Sequence, residues 1–242
     1  MISGPDAINA MCGFSVDLLV VIVNRGRGEK LAQKFSEKGV TFNLFCLGRG
    51  TADKKILSYL GLGETEKEIL FSTMPDTMAH RILDRLNGEA GLSRPGAGIA
   101  FCIPVNGIAD AASCKRLQGA ALEEEETKME KSHLYNLIVA ITNQGYADEV
   151  MDAAKAAGAS GGTIVHARGA GVREAEKFFG ITIRPEKEML FILTQREKSQ
   201  AIMTALVEKS GLQTDAKTIA MSLMVTGAAG FSGQGAAAGN QE

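Results

Sequence analysis

The stretch Leu18-Leu19-Val20-Val21-Ile22-Val23-Asn24 is matched 119 residues later by Leu137-Ile138-Val139-Ala140-Ile141-Thr142-Asn143. Glycines and an Arg-Gly pair keep the same spacing: Gly26 with Gly145, Gly39 with Gly158, and Arg49-Gly50 with Arg168-Gly169. One inserted residue then changes the spacing to 120, which aligns residues 66–71 with 186–191 and Gly107 with Gly227. So many matches with a single slip indicate an internal duplication.

The duplication sets the predicted limits of the domains. The first module spans residues 16–107 and the second spans 133–227. Between them, residues 108–132 contain four consecutive glutamates, Glu123 to Glu126, and this charge is typical of a solvated linker. After Gly227 the chain is almost entirely glycine, alanine, serine and glutamine, so residues 228–242 are predicted to be a disordered tail.

Each copy predicts the same order of elements. An apolar, β-branched strand is followed by a helix, such as 146–157, which Gly158 closes at its C′ position. Two strands, a second helix with one apolar face and a fourth strand complete the copy. This order is the ferredoxin-like βαββαβ unit. The sequence predicts an α+β fold of two tandem ferredoxin-like modules, each an antiparallel sheet with helices on one face.

Two features extend this prediction. The first and third strands are apolar on both faces, so the face of the sheet without helices should pack against another sheet. This requires association between modules, within one chain or between chains. The loops 50–65 and 171–185 are longer than a connection between strands needs. Helix-like patterns at 54–60 and 173–179 predict a short helix in each loop.

Composition narrows the class of function. A net charge of −2 gives no basic surface for nucleic acid. The four cysteines are scattered and no zinc spacing occurs, so no metal site is predicted. The first fifteen residues lack a positively charged segment, and the apolar run Leu18 to Val23 is too short to cross a bilayer. We expect a cytoplasmic protein that is not an integral membrane protein.

The loop after the second strand is the candidate ligand site. No nucleophile, base and orienting group occur together in a catalytic motif, so we predict that the protein is not an enzyme. In the second copy this loop begins His166-Ala167-Arg168-Gly169-Ala170-Gly171. Glycines allow backbone N–H groups to approach a ligand, and arginine suits a phosphate or carboxylate. Alternatively, the glycines only turn the chain out of the sheet.

The segments GGTIVHARGAG and RPEKEMLFIL, and the GLxxxxxxIA approach to the fourth strand, resemble PII-family nitrogen regulators. The resemblance covers both copies. It implies trimers of ferredoxin-like modules that bind ATP or ADP, often with 2-oxoglutarate, between subunits. It also implies a long T-loop that controls a transporter or an enzyme. Because two modules cannot complete a ring of three, the expected assembly is three chains with six modules.

The resemblance also assigns ligand-binding residues. In the second copy these are Arg168, Gly169, Gly171, Arg173, Lys187, Asp215 and Lys217. The first copy keeps a degenerate equivalent, formed by Arg49, Gly50 and Lys67, and has Ala52 in place of the second glycine. The phosphate-contacting lysine of the family aligns with Glu186 and Glu66, and the arginines that follow strand four in the family are absent from both copies. These departures predict weaker nucleotide binding.

The function predicted from the sequence is a PII-like regulator of nitrogen metabolism. It would sense a small anionic metabolite or nucleotide and signal through its loops to a protein partner. Two alternatives stay open at this point. One is a structural or interaction protein that has lost its ligand sites, and the other is a metal-responsive protein of the CutA type that uses His166 or a cysteine.

Overall fold

The computed structural model describes residues 2–3, 15–51, 65–88, 92, 94, 96–105, 107–108, 133–168, 176–178, 181–183 and 186–231. The chain forms two compact units. The first comprises Met1–Cys46, Lys67–Tyr135 and Met224–Glu242, and the second comprises Leu47–Glu66 and Asn136–Leu223. No helix in the described ranges is both long and apolar enough to cross a membrane.

The first unit has the predicted βαββαβ order. Its elements are β2 (Val16–Asn24), α1 (Gly28–Glu37), β3 (Phe42–Gly50), β4 (Thr65–Pro75), α2 (Asp76–Gly88) and β5 (Gly98–Pro104). Strand β2 is central because it pairs antiparallel with β4 on one side and with β5 on the other. A two-residue strand β1 (Ile2–Ser3) pairs with β6 (Gly107–Ile108).

The core of the first unit lies between its sheet and its helices. Leu19, Val21 and Val23 alternate along β2 and pack with apolar residues of α1 and α2. Val20 and Ile22, which point to the opposite face, are buried as well, at 2% exposure each. The prediction that both faces of this strand are covered is therefore confirmed.

The first unit also contains a strand from the far end of the chain. Strand β13 (Gly227–Ala229) pairs antiparallel with β5, with Gly227 opposite Cys102 and Ala229 opposite Ala100. The sequence placed residue 228 onward in a disordered tail, and the structure differs for residues 228–231. Small residues with low strand propensity form a strand here because the edge of β5 supplies hydrogen-bonding partners.

The second unit repeats the same order. Its elements are β7 (Tyr135–Asn143), α3 (Ala147–Ala156), β8 (Thr163–Arg168), β11 (Glu186–Gln195), α4 (Arg196–Ser210) and β12 (Ile219–Val225). The strands lie in the order β12-β7-β11-β8. Ile138, Ala140, Leu190 and Ile192 pack against the two helices. The observed antiparallel α+β architecture is the predicted fold class.

Two details of the second unit differ from the prediction. Residues Leu47–Glu66 belong to this unit rather than to the first, because the end of β3 pairs with β8, with Arg49 opposite Ile164. Within the loop 171–185, strands β9 (Glu176–Phe178) and β10 (Ile181–Ile183) form an antiparallel pair, where part of a helix was predicted. The antiparallel backbone pairing of these two short strands outweighs the local helical pattern. The other predicted loop helix, 54–60, lies outside the described residues.

Candidate functional site

The ligand-binding residues predicted in the second copy fall into two groups. Arg168 ends β8, Lys187 is the second residue of β11, and Asp215 and Lys217 lie in the turn before β12. The backbone of Arg168 is described, but its side chain is not. Gly169, Gly171 and Arg173 lie outside the described residues, so their predicted contact with a ligand stays a prediction.

The antiparallel register brings the described group to one end of the sheet. Arg168 lies opposite Glu186, and Ala167 lies opposite Lys187. The last residue of β7, Asn143, donates its backbone N–H to Ala216 O at 2.9 Å. Strand ends that are far apart in sequence therefore meet. We name this end of the second unit, formed by Asn143, Arg168, Lys187 and 215–217, the lysine edge.

Hydrogen bonds through Asn143 connect the lysine edge. Lys187 Nζ donates to Asn143 Oδ1 at 2.9 Å, and Asn143 Nδ2 donates to Asp215 O at 2.7 Å. One side-chain amide thus joins the start of β11 to the turn before β12. Asp215 and Lys217 are exposed, whereas Ala216 between them is buried. The two charged side chains face solvent from a turn whose centre is anchored.

The turn before β12 holds Lys217 in a left-handed conformation, with φ 47°. It is the only non-glycine residue with positive φ in the described part of the chain. A lysine in this region is uncommon and persists only where the surroundings fix it. They do so here, because Ala216 O also accepts a hydrogen bond from Thr142 Oγ1 at 2.9 Å, and Lys217 N donates to Thr214 O at 3.2 Å.

Glu188 follows Lys187 on β11 and was not among the predicted site residues. Its Oε2 accepts hydrogen bonds from Gly145 N and Ala147 N, each at 3.0 Å, at the start of α3. In the first unit Glu68 Oε2 accepts from Gly28 N at 2.7 Å in the same way. A carboxylate at a helix N-terminus satisfies N–H groups that lack helical partners.

The role of Glu188 could be predicted from residues that are identical in the two copies. Glu68 and Glu188 are matched positions, as are Asn24 and Asn143. Lys67 Nζ donates to Asn24 Oδ1 at 2.6 Å, which reproduces the pair of Lys187 and Asn143. The two copies therefore share the polar residues that hold each strand end in place. These residues are identical in both copies and lie next to predicted ligand residues.

The degenerate site predicted in the first copy comprises Arg49, Gly50 and Lys67, and its role in ligand binding stays a prediction. Arg49 and Gly50 belong to the second unit, whereas Lys67 belongs to the first. Arg49 Nη1 lies 3.3 Å from Asp148 Oδ1, and its Nη2 lies 4.0 Å from Glu188 Oε1. Gly50 pairs with Thr163 in the strand ladder. Two neighbouring carboxylates already balance the charge of Arg49, which disfavours an anion there.

His166 was the candidate ligand for a CutA-type metal site. Its side chain is 71% exposed, and its Nδ1 lies 4.0 Å from Glu188 Oε1. In the described ranges these two groups do not extend to a cluster of three metal-binding side chains. The cluster of three that those ranges contain lies in the first unit and consists of Asp17, His80 and Cys102.

Comparison with known proteins gives two kinds of result. No curated protein matches the chain. Among solved structures, Arabidopsis thaliana PII bound to citrate is 15% identical, with a TM-score of 0.28 over 38% of this chain and 75% of that one. CutA from Synechococcus elongatus PCC7942 is 14% identical, with a TM-score of 0.31 over 41% of this chain and 83% of that one. At these TM-scores neither likeness carries weight.

The match to a protein family is more informative. Residues 135–223 match the family described as nitrogen regulatory protein P-II. This range contains the complete lysine edge, Glu188 and every ligand residue predicted in the second copy. The segment from Tyr135 to Leu223 is therefore similar in sequence to the P-II family.

Proposed function

We propose that this protein is a PII-like regulator of nitrogen metabolism that binds a small anionic ligand at the lysine edge of its second unit. The match of residues 135–223 to the P-II family is the observation that carries the proposal. A regulator of this kind binds its ligand without chemical conversion. It passes the binding signal to a transporter or an enzyme through its loops.

The charges at the lysine edge support an anionic ligand. Lys187 and Lys217 place ammonium groups at the same end of the sheet, on β11 and in the turn before β12, and Arg168 ends the strand that pairs with β11. The loop that begins with Gly169 and Gly171 continues directly from Arg168. Phosphate and carboxylate groups are bound by such combinations of cations and backbone N–H groups. We therefore propose ATP, ADP, 2-oxoglutarate or citrate as ligand candidates, because each carries phosphate or carboxylate groups.

The conformation of Lys217 supports a role beyond folding. A positive φ costs a non-glycine residue about 1–2 kcal/mol, and glycine would avoid this cost. The corresponding turn of the first unit uses glycine where φ is positive, at Gly96 (φ 75°) and Gly98 (φ 145°). Strained residues cluster at ligand sites. A lysine retained at this position in the second unit fits a requirement for its side chain.

The exposed edges of the sheets support assembly into a larger oligomer. Ile219, Met221 and Leu223 alternate along β12, so they share one face, and each is more than a third exposed. Phe42 and Leu44 are similarly exposed on β3. Apolar strand faces of this kind are typical of interaction surfaces. We propose an assembly of three chains in which these faces are covered.

A thermal-shift screen tests the proposed function. The full chain is heated with MgATP, ADP, 2-oxoglutarate or citrate, with unfolding followed by circular dichroism because the chain contains no tryptophan. A ligand present at 100 times its Kd adds about 2.7 kcal/mol to the free energy of unfolding. We expect at least one of these anions to raise the Tm.

Two variants separate the charge of Lys217 from its backbone strain. Lys217→Gly should raise the Tm of the ligand-free protein, because glycine tolerates the positive φ, and should abolish the ligand-induced shift. Lys209→Ala removes an exposed lysine of the same unit and should leave that shift unchanged. The absence of any anion-induced shift, or the same shift in Lys217→Gly as in the unchanged protein, would contradict the proposal.

A further inference from the structure

A buried polar cluster in the first unit is not explained by the PII-like site. Asp17 on β2, His80 on α2 and Cys102 on β5 have potential ligand atoms that all lie within 4.8 Å of one another. All three residues are buried, with Asp17 and Cys102 at 0% exposure and His80 at 7%. We propose that this cluster is a transition-metal site, selective for Zn²⁺ or a similar ion, formed by Asp17, His80 Nε2 and Cys102 Sγ.

Two atoms of the cluster lack hydrogen-bond partners. Asp17 Oδ1 and His80 Nε2 are both buried and unpartnered. His80 Nε2 approaches Asp17 Oδ2 to 3.5 Å but does not form a hydrogen bond with it. Buried polar groups without partners are rare and unfavourable. A metal ion between them would accept electron pairs from both atoms and remove this cost.

The spacing fits three of the four ligand positions around a tetrahedral ion. Zn–O, Zn–N and Zn–S bonds of about 2.0–2.3 Å place neighbouring ligand atoms about 3.3–3.8 Å apart. The 3.5 Å between His80 Nε2 and Asp17 Oδ2 lies within this range. Since the ligand atoms lie within 4.8 Å of one another, binding requires shifts of only about 1 Å.

The charges also fit a divalent ion in a buried site. Zn²⁺ bound by a carboxylate, a thiolate and a neutral imidazole has no net charge. Neutrality matters because Asp17 and Cys102 are inaccessible to water, and an unbalanced charge there would be costly. The same burial argues against a Cys-His-Asp hydrolase site, because a substrate could not reach the Cys102 thiol. The donor set of oxygen, nitrogen and sulfur suits zinc and cobalt rather than calcium or magnesium.

The segment after β12 completes the surroundings of the cluster. Thr226 Oγ1 donates to Asp17 Oδ2 at 3.3 Å, and Thr226 N donates to Cys102 O at 3.0 Å. A hydroxyl in this position orients the carboxylate, as residues that support metal ligands do. A Cβ at Gly227 would lie 3.1 Å from His80 Cε1 and 2.9 Å from Leu83 Cδ2. Glycine at this position lets the backbone close over the imidazole.

Titration of the metal-depleted full chain with Co²⁺ tests the site. Tetrahedral cobalt gives strong visible absorption, and a thiolate ligand adds a charge-transfer band in the near ultraviolet. We expect one Co²⁺ per chain with both features, displaced by Zn²⁺. A variant in which Cys12, Cys46 and Cys114 are all serine keeps only Cys102 and should retain the thiolate band.

Variants of the cluster complete the test. Cys102→Ser should lose the thiolate band, and His80→Gln should weaken Co²⁺ binding by more than about 100-fold, because even residues that only support metal ligands contribute about 10–100-fold. Circular dichroism checks that each variant is folded. Failure of the unchanged chain to bind Co²⁺ stoichiometrically would overturn the proposal, and so would loss of the band in the variant that keeps only Cys102. Neither result depends on anion binding at the lysine edge.

Discussion

The buried side chain of Glu188 fixes the start of α3 beside the lysine edge. Its carboxylate satisfies two backbone N–H groups at the start of α3, those of Gly145 and Ala147. The next residue toward the N-terminus, Lys187, points to the opposite face of the strand and pairs with Asn143. The residues that fix the helix and those proposed to bind ligand therefore alternate along β11.

We predict that Glu188→Ala lowers the free energy of unfolding by about 2–4 kcal/mol, because it leaves two backbone N–H groups without their acceptor. Glu188→Gln keeps one acceptor oxygen and should cost about 1 kcal/mol. Urea denaturation followed by circular dichroism measures both. Glu208→Ala, an exposed change on α4, is the matched control and should stay within about 0.5 kcal/mol. Equal stability of Glu188→Ala and the control would contradict the role of Glu188.

Strand β13 joins the C-terminal part of the described chain to the sheet of the first unit. It covers the edge of β5, and Phe231, two residues beyond it, packs edge-to-face on Tyr135 with 5.4 Å between the ring centroids. Thr226, just before it, contacts the buried carboxylate of Asp17. Residues 224–231 therefore belong structurally to the first unit, and Ala229 lies in its core.

We predict that a chain ending at residue 231 keeps the Tm of the full chain, whereas a chain ending at residue 223 has a Tm lower by several degrees. The shorter chain loses the β13–β5 pairing and the Thr226 hydrogen bonds. The expected loss of about 1–3 kcal/mol corresponds to a few degrees for a domain of this size. Thermal unfolding measures the difference. Identical Tm values for the two truncated chains would show that β13 does not stabilise the first unit.

The elements that the sequence predicts correctly are those with strong local signals. Strand β2 is an unbroken aliphatic run, and Gly158 ends α3 with φ 104°, as its predicted C′ position requires. Strand β13 has no such signal, because its residues are Gly-Ala-Ala and its pairing partner lies more than a hundred residues earlier in the chain. Long-range pairing of this kind is decided by an available strand edge rather than by propensity.

The two candidate sites also differ in whether a local sequence pattern indicates them. Asp215 and Lys217 could be proposed from the sequence because they lie where the family resemblance places ligand residues, and Lys187 because it lies next to the position of the family's lysine. The cluster of Asp17, His80 and Cys102 could not be proposed in this way, because its residues lie on three elements and no spacing relates them along the chain. Only the antiparallel register of β2 and β5 and the packing of α2 bring these side chains together.

At the scale of the whole molecule, the two units exchange segments of chain. Residues 224–231, at the end of the second copy and just beyond it, belong to the first unit, and residues 47–51, from within the first copy, belong to the second. We predict that a single proteolytic cut within 109–132 leaves the two fragments associated under native conditions. Each unit would still contain strands from both fragments. Size-exclusion chromatography after cleavage measures this, and elution of two separate folded fragments would contradict the exchange of segments.

The whole chain is expected to assemble into a complex of three chains. Exposed apolar residues on β12 should be covered in a complex of three chains. We predict that Ile219→Lys combined with Met221→Lys produces a smaller species in sedimentation velocity, since two charges would lie in the interface. Leu212→Lys is a control at an exposed leucine outside this strand and should leave the assembly unchanged. A stable monomer of the unchanged chain would refute the three-chain assembly.

We propose that this chain is a PII-like sensor with a single anion site in its second unit. Calorimetric titration of the full chain with MgATP, 2-oxoglutarate and citrate in turn tests this proposal. We predict that at least one of these anions binds with a stoichiometry of one per chain and that Gly171→Ala weakens this binding, because a methyl group blocks close approach of the backbone. Two equal sites per chain, binding unchanged by Gly171→Ala, or no binding of any of the three anions would contradict it.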